Sequence, residues 1–325
     1  MPLGTAPYIS PTTLLSAPTG IDWSTIPPGD DTTPAQNEAE WWNICNRVTD
    51  RVNGYCNQVL AATLDDELIH GPDYPYLTVG PAGGGQSRGP YWGNVGNFNA
   101  RAVVSRWPIL QVTNVAYTPN NLWPRQWQTV PTGYYEPEKP PIGIYGSVAP
   151  SGSAYGSQAI LIAPGYVNWY YGRNGYAVQI SYINGWPHTE ITQAATAGST
   201  TLTVSDTTGW AITSYQGQLG ATGVVKDTGQ QEVVHVTAAT TTAGPGVLSL
   251  SSPTAYPHPA GILATTMPAS IEEACILFAT AEALTRGATS TTIHDIGGHA
   301  QSAGGDIAGL ITEGELLIHP YRRTI

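Results

Sequence analysis

The sequence predicts an α+β fold, in which three helices and a small antiparallel sheet form a core and an all-β barrel or sandwich module is inserted. Three patterns predict it. Apolar residues recur at helical spacing over residues 33–60, strand-like alternation runs from 101 to 186, and short strands with regular turn residues fill 190–266. The predicted parts are an extended N-terminal arm at 1–33, a core from 34–187 and 267–325, and the module at 190–266.

The first helix is predicted from Thr33 to about Leu60. Thr33 and Gln36 have the spacing of a capping box, and Pro34 suits the first helical position. Gly54 lies inside the pattern and indicates a close helix contact or a mild bend. The apolar stripe consists of Trp41, Ile44, Cys45, Val48, Val52, Tyr55, Cys56 and Val59. In the arm before this helix, we expect one helical turn over Pro11–Ser16, and we expect Ile21 and Trp23 to anchor the chain.

The strands that follow are separated by loops rich in glycine and proline. Residues 64–80 read as two short strands broken at Gly71-Pro72, and 80–100 and 136–157 read as loops. Further strands are expected at 101–105, at 109–117, in the segments TVPTGYYEP and QAILIAP, and in GYAVQISYINGW, where Ala177, Gln179 and Ser181 alternate with Val178, Ile180 and Tyr182.

Helical patterns return after the module. A helix is predicted over Pro268–Gly287, with a capping box from Ser270 and Glu273 and a glycine that ends it. A last helix is predicted over about Gly305–Ile318, where Pro320 prevents its continuation.

The chain carries few charges for its length. Only 11% of its 325 residues are charged, and glycine (37) and proline (27) are abundant. A free monomer normally needs more surface charge, so copies of the chain or partners are expected to cover much of the surface. The alternative is a secreted β-rich protein with a Thr/Ser/Asn/Gly surface.

The charge is also unevenly distributed. Residues 1–80 contain ten acids and two bases, whereas 81–187 contain two acids and six bases, within a net charge of −11. An acidic protein is a poor general binder of nucleic acid, because neutralisation of phosphates drives that binding. Such a protein suits a passage through which DNA slides without specific binding.

The sequence indicates a reducing compartment. The first 20 residues lack the pattern of a secretion signal, and no apolar run has the length of a membrane span. Cys45, Cys56 and Cys275 lie on predicted helix stripes, so we expect buried, reduced thiols rather than disulfides or a metal site.

No residue pattern predicts catalysis, and we expect no enzyme, metal or cofactor. His294 and His299 lie five residues apart in a glycine-rich segment without further ligands. The acidic run Asp65, Asp66 and Glu67 lacks a second carboxylate cluster to complete an ion or acid–base site. A hydrolase whose site escapes these patterns remains an alternative.

Tryptophans are numerous, and Trp41 and Trp42 are adjacent on the first helix, so at most one of them faces the core. The other tryptophans of interest lie among prolines and arginines in the strand region, where they suit either a sugar platform or subunit packing. Interfaces favour Trp, Tyr and Arg, so we interpret them as interface residues. The predicted subunit-interface aromatics are Trp42, Trp107, Trp123 and Trp127.

The order of these parts resembles a known family. The long helix precedes SRWPILQVTNVAY, a YYEP strand, YAVQISYINGWP, and a proline-started helix that ends in Arg-Gly. This order is similar to that of the head–tail connector (adaptor) proteins of long-tailed double-stranded DNA bacteriophages, particularly those of actinobacteria. The resemblance covers 34–187 and 267–325. The module at 190–266 departs from the pattern, and its segments are similar to a β insertion that recurs in phage structural proteins.

The resemblance implies a structural virion protein. Such proteins form flat rings, usually of twelve copies, beneath the portal, and join the capsid to the neck and tail. The implied partners are sister copies, the portal, neck stopper and tail terminator proteins, and DNA that passes without specific binding; no membrane is involved. The implied location is the virion neck, after assembly in the bacterial cytoplasm. The alternative is a phage tail or baseplate-type protein that recognises host glycans through its β module.

Two sets of residues receive roles from the resemblance. The acids expected to face the channel are Glu38, Glu40, Asp65, Asp66 and Glu67. The segment expected to dock onto the portal is Leu316, Leu317, Ile318, His319, Pro320, Tyr321, Arg322, Arg323, Thr324 and Ile325. Tyr321 would anchor this segment, and Arg322 and Arg323 would meet carboxylates or main-chain acceptors. The alternative for the segment is a disordered terminus.

Overall fold

The computed structural model combines helices with antiparallel sheets, which confirms the α+β class. It describes residues 6–26, 33–70, 77–81, 98–118, 124–137, 159–162, 177–211, 220–288, 292–294, 300–302 and 307–323. The described helices are α1 (Pro11–Ser16), α2 (Pro34–Cys56), α3 (Ala269–Thr285) and α4 (Ile307–Ile318), with short 3-10 turns at Trp23–Thr25 and His319–Tyr321.

The chain forms two compact units. The first takes residues from 1–61, 187–211 and 220–325, and the second from 62–186 and 212–219. The first unit therefore joins α2 to the segment that we predicted as a module, and the second contains the strands between them. Compactness alone does not say which segments fold together, so the predicted arm, core and inserted module stay a prediction.

Helix α2 begins as predicted. The Thr33 hydroxyl accepts a hydrogen bond from the Gln36 amide at 3.4 Å, and the Gln36 side chain accepts one from the Thr33 amide at 2.8 Å. The helix ends at Cys56 because Asn57 adopts the left-handed conformation with φ 54°. Its buried residues include Ile44, Cys45, Val48, Val52 and Cys56 of the predicted stripe.

Helices α3 and α4 match the predicted positions, but α3 starts differently. Pro268 occupies the cap without a side-chain hydrogen bond, so the predicted capping box of Ser270 and Glu273 was wrong. The Ser270 hydroxyl instead lies 3.0 Å from the Tyr321 hydroxyl. Gly314 of α4 faces Phe278 of α3 so closely that a Cβ there would lie 2.7 Å from the ring.

The N-terminal arm lies along α2. Helix α1 forms where the single helical turn was predicted, and Trp23 is buried, as expected of an anchor, with its carbonyl accepting from the Trp41 indole at 3.3 Å. The Tyr8 amide donates to the Thr49 hydroxyl at 2.9 Å. The described part of the arm, residues 6–26, therefore packs against α2 within the first unit.

The described strands of the second unit form two four-stranded antiparallel sheets. The first runs β1-β8-β4-β5 and the second β2-β3-β7-β6. The strands are β1 (Thr63–His70), β2 (Leu77–Pro81), β3 (Phe98–Val103), β4 (Ile109–Thr118), β5 (Gln128–Thr129), β6 (Tyr135–Pro137), β7 (Ala159–Ile162) and β8 (Ala177–Asn184). Val178, Ile180 and Tyr182 of β8 are fully buried in the core of this unit, as the alternation predicted. The predicted loop at 80–100 was wrong at its two ends, which belong to β2 and β3.

The first unit contains a six-stranded antiparallel sheet in the order β10-β13-β12-β11-β14-β9. Its edge strands meet at a bridge between Ile191 and Val204, so the sheet curls around its own core, in which Trp210 is fully buried. The strands are β9 (His188–Glu190), β10 (Thr201–Val204), β11 (Thr222–Val225), β12 (Glu232–Ala239), β13 (Gly246–Leu250) and β14 (Leu263–Thr265); β15 (Thr292–His294) and β16 (Ala300–Ser302) form a separate hairpin.

His188 connects this sheet to the N-terminal arm. Its Nε2 donates to the Pro7 carbonyl at 2.9 Å, and its ring meets the Tyr8 ring edge-on at 5.7 Å. The buried Nδ1 has no hydrogen-bond partner among the described residues. Burial lowers the pKa of His188 to about 4, against the opposing effect of the main-chain contacts, so the ring is neutral at pH 7.

Two helical glycines are expected to respond oppositely to alanine. Gly54 has open space around its Cβ position, so of the two alternatives predicted for it the close helix contact was wrong. Gly54→Ala should raise the free energy of unfolding by about 0.5–1 kcal/mol. Gly314→Ala should lower it by about 1–3 kcal/mol, because the new methyl overlaps Phe278. Urea unfolding of both variants checks this; shifts of the same sign would contradict the described packing.

The arm contact is expected to weaken in acid. An unfolded chain protonates His188 near pH 6.5, whereas the folded chain resists protonation until about pH 4. The stability from the neutral ring is therefore complete above pH 6.5 and lost as the pH falls toward 4, by about 3 kcal/mol. His188→Gln keeps a donor for the Pro7 carbonyl but does not titrate. Urea unfolding at pH 7, 5.5 and 4.5 should show a shallower pH slope for this variant, and equal slopes would refute the assignment.

Candidate functional site

The predicted functional residues fall in both compact units. Glu38, Glu40, Trp42 and the described part of the C-terminal segment belong to the first unit. The acidic run 65–67, Trp107 and Trp127 belong to the second. Trp123, Thr324 and Ile325 lie outside the described residues. The predicted roles of all these residues stay predictions.

Glu40 is held by two arginines. Its carboxylate contacts Arg47 at 3.0 Å and Arg286 at 2.5 Å, and Arg47 also contacts Glu282 of α3 at 2.7 Å. Burial opposes ionisation of Glu40, but hydrogen bonds from Arg286, Asn43 and Arg47 outweigh it and lower its pKa to about 2. Glu40 therefore connects α2 to α3, and its charge is balanced inside the first unit.

Strand alternation separates the acids of β1. Asp65 and Glu67 point to one face of the sheet, and Asp66 points to the other. Asp65 accepts from the Asn184 amide at 2.6 Å and pairs with Arg106 at 3.4 Å. The three carboxylates consequently do not share one surface, although the sequence run DDE suggested that they do.

Glu67 is bound on the inner side of the sheet. The Ser105 amide donates to both of its oxygens at 2.9 Å, and the Ser105 and Tyr182 hydroxyls donate to it as well. Burial, and then the hydrogen bond to Glu67, raise the pKa of Tyr182 above its ordinary value. This cluster fixes the β1–β8 register from within.

The outer row of β1 combines one acid with two exposed leucines. Asp66 accepts from the Ser181 hydroxyl, and Leu64 and Leu68 on either side of it are 53% and 47% exposed. Among the described strands, only β8 pairs with β1, so β1 is an edge of its sheet. Exposed leucines on an edge strand are a surface that other chains can contact.

The described interface aromatics differ in exposure. Trp127 is 37% exposed, whereas Trp42 and Trp107 are half-buried. The Trp107 ring packs edge-on against the buried Trp186 ring at 6.0 Å. Trp107 thus supports its own unit, and Trp127 is the most exposed of these three rings.

The described part of the C-terminal segment, up to Arg323, packs on its own chain. Tyr321 is 7% exposed, and its carbonyl accepts from the Gln58 side chain at 2.9 Å. The Arg323 amide donates to the Cys56 carbonyl at 2.9 Å, and the Arg322 guanidinium lies 5.4 Å from the centre of the Tyr55 ring. Leu316, by contrast, is 72% exposed. A partner that docks here therefore meets Leu316 before it can reach Tyr321.

The cysteines are buried and free, as predicted. Burial raises the pKa of Cys45 and of Cys56 to about 12, and it raises that of Cys275 as well. All three thiols are therefore protonated at neutral pH, and a protonated thiol is neither a nucleophile nor a good metal ligand.

No group of three or more His, Cys, Asp or Glu side chains within the described ranges has the arrangement of a metal site. Within the same ranges, no helix is long and apolar enough to cross a membrane.

The sequence reading missed a buried histidine clasped by two carboxylates. His258 Nδ1 lies 3.0 Å from Asp227 Oδ2, and His258 Nε2 lies 2.5 Å from Glu232 Oε1. Each ring nitrogen therefore lies within hydrogen-bond distance of a carboxylate oxygen.

This clasp fixes two connections of the six-stranded sheet. Glu232 also accepts from the Ala255 amide at 2.7 Å. Burial opposes ionisation of Glu232, but the Ala255 amide and His258 outweigh it and lower its pKa. The three residues are separated by up to 31 positions, and no spacing in the sequence indicates that they meet.

Comparisons with known proteins give no relative: no family model, curated protein or solved structure matches the chain significantly.

Removal of the clasped histidine should destabilise the first unit strongly. His258→Leu removes the ring that contacts both Asp227 and Glu232, and a buried charged group left without its hydrogen-bond partner costs at least about 1–3 kcal/mol. The triple variant His258→Leu, Asp227→Asn, Glu232→Gln removes the repulsion and should recover part of this loss. Thermal and urea unfolding compare the two; a single variant as stable as the natural chain would contradict the clasp.

Proposed function

We propose that this chain is a structural virion protein that forms a head–tail adaptor ring beneath the portal and lines the DNA channel. In this proposal, α2, α3 and α4 belong to the connector core, and the six-stranded sheet is the inserted module. The chain acts by assembly and performs no catalysis. The order of the sequence motifs indicates the adaptor family, and the apolar surface of α4 supports contact with another molecule.

Helix α4 is the observation that carries the proposal. Seven of its twelve residues are aliphatic, yet Ile318 is the single buried aliphatic side chain among them. Ile307, Leu310, Ile311 and Leu317 are half-buried, and Leu316 is largely exposed. Burial of one leucine side chain is worth about 1.5–3 kcal/mol, so this surface favours contact with another molecule.

The low charge of the whole chain supports the same proposal. A subunit in a closed ring uses two different faces, and each is covered by a neighbour. Covered faces need few charges, which agrees with 11% charged residues. The exposed leucines of β1, Leu64 and Leu68, are further apolar surface that a neighbour would cover.

The proposed channel surface depends on the acids that remain unbalanced by arginines. Glu38 and Asp66 are exposed, so they support an acidic lumen most directly. Glu40 and Asp65 are paired with arginines, and Glu67 accepts hydrogen bonds from three donors inside the second unit. DNA would then pass a surface that repels phosphates without binding them.

The proposed portal contact uses the C-terminal segment differently from the sequence expectation. In the proposal, Leu316 and the exposed Pro320 make the first contact, because Tyr321 is already packed against Ser270 and Gln58. Docking through Tyr321 would require the segment to leave its own chain. Contact through the outer side of α4 requires no such rearrangement.

The glycan-binding alternative rests on the six-stranded sheet. Its described outer surface carries one exposed aromatic ring, Tyr256, at the connection before β14. Binding of the full chain to a glycan array would favour this alternative, whereas an adaptor is expected to bind none. The buried Trp210 cannot serve as a sugar platform without unfolding of the sheet.

Native mass spectrometry and negative-stain imaging of the full chain test the proposal. We expect rings of about twelve copies, either alone or after mixing with the portal protein of the same phage. A species that stays monomeric at every concentration, with and without portal, would contradict the adaptor function. Localisation of the chain by cryo-EM of the virion neck gives an independent check.

A further inference from the structure

The first unit contains an open groove of about 620 Å³ between the N-terminal arm, the start of α2 and the six-stranded sheet. Glu38, Trp42 and Asn46 line it from α2, one helical turn apart from each other. Pro7 lines it from the arm, and Glu190 lines it from β9. The groove therefore combines two carboxylates, an indole and an amide in one concave surface.

The charge of the groove is unbalanced. No lysine or arginine is among its lining residues. Within the described part of the chain, neither an ion pair nor a side-chain hydrogen bond reaches the Glu190 carboxylate, and burial raises the pKa of this group. A partly buried carboxylate without a donor is unfavourable. A cation that enters the groove therefore gives the Glu190 carboxylate a partner that no described side chain supplies.

A guanidinium group fits this chemistry best. Its planar N–H donors can bond carboxylates in pairs, and the group also stacks on aromatic rings such as indole. The Asn46 amide oxygen adds a further acceptor. An inorganic cation would use the carboxylates but not the indole.

We propose that this groove receives an arginine side chain from a second copy of the chain. The charge distribution favours this occupant: the one basic stretch, residues 81–187, contains five arginines and one lysine against two acids. The groove belongs to the acidic remainder of the chain. The inference rests on the proposed ring, in which each copy presents one face to the next.

Assembly of full-length variants tests the inference. Glu190→Gln keeps the shape of the side chain and removes its charge, and Trp42→Phe keeps an aromatic ring while removing the indole. We expect Glu190→Gln to need at least about tenfold more protein for half-maximal assembly, since a charge-assisted hydrogen bond is worth tenfold or more in affinity. Trp42→Phe should also need more protein, since a guanidinium stacks less strongly on a phenyl ring than on an indole. Glu273→Gln, an exposed acid of α3 outside the groove, is the matched control and should assemble as the natural chain does.

Native mass spectrometry measures the assembled fraction across a concentration series, and circular dichroism verifies that each variant folds. A natural chain that assembles while Glu190→Gln and Trp42→Phe assemble equally well would overturn the groove inference and leave the ring intact. A natural chain that never assembles would overturn the ring and the inference together. Equal losses in all three variants would show a general charge effect, which also overturns the inference.

Discussion

The C-terminal end of α2 is the point on which the first unit depends. The helix stops at Cys56, and the chain leaves it through residues whose amides need acceptors. The Tyr8 hydroxyl supplies one: it accepts from the Leu60 amide at 2.8 Å and the Ala61 amide at 3.2 Å, and it donates to the Asn53 side chain. Burial raises the pKa of Tyr8, so the hydroxyl keeps the hydrogen that it donates.

The same helix end also holds the C-terminal segment. The Cys56 carbonyl accepts from the Arg323 amide, and the Gln58 side chain donates to the Tyr321 carbonyl. Residues far apart in sequence thus satisfy the polar groups that a helix end leaves open. A substitution in this region would disturb the N-terminal arm and the C-terminal segment together. Any surface formed by these two segments therefore depends on the end of α2.

How much of this follows from the sequence depends on the range of the interaction. The start of α2 followed from Thr33 and Gln36, because a capping box is complete within four residues. The α+β class and most strand positions followed from periodicity. The partners of His258 did not, since they come from separate turns of a curled sheet.

Glycine and acid patterns show the same limit. Periodicity places Gly54 and Gly314 on helices, but it does not tell which of them faces a neighbouring ring. Likewise, the run Asp65–Glu67 suggested one acidic surface, although a strand necessarily sends neighbours to opposite faces. The run lies within a predicted strand, and the period of two, applied to it, predicts the separation.

The internal partners of the acids limit how the net charge of −11 can act. Glu40, balanced by two arginines, stabilises the α2–α3 contact and contributes little field beyond it. Glu190 is the opposite case, because burial opposes its charge and no described donor relieves it. A groove of this kind becomes more stable when a neighbouring molecule supplies a cation, whereas a balanced pair gains nothing from one. Any electrostatic preference between copies should therefore reside in the few unbalanced carboxylates, and the total charge is a poor guide to it.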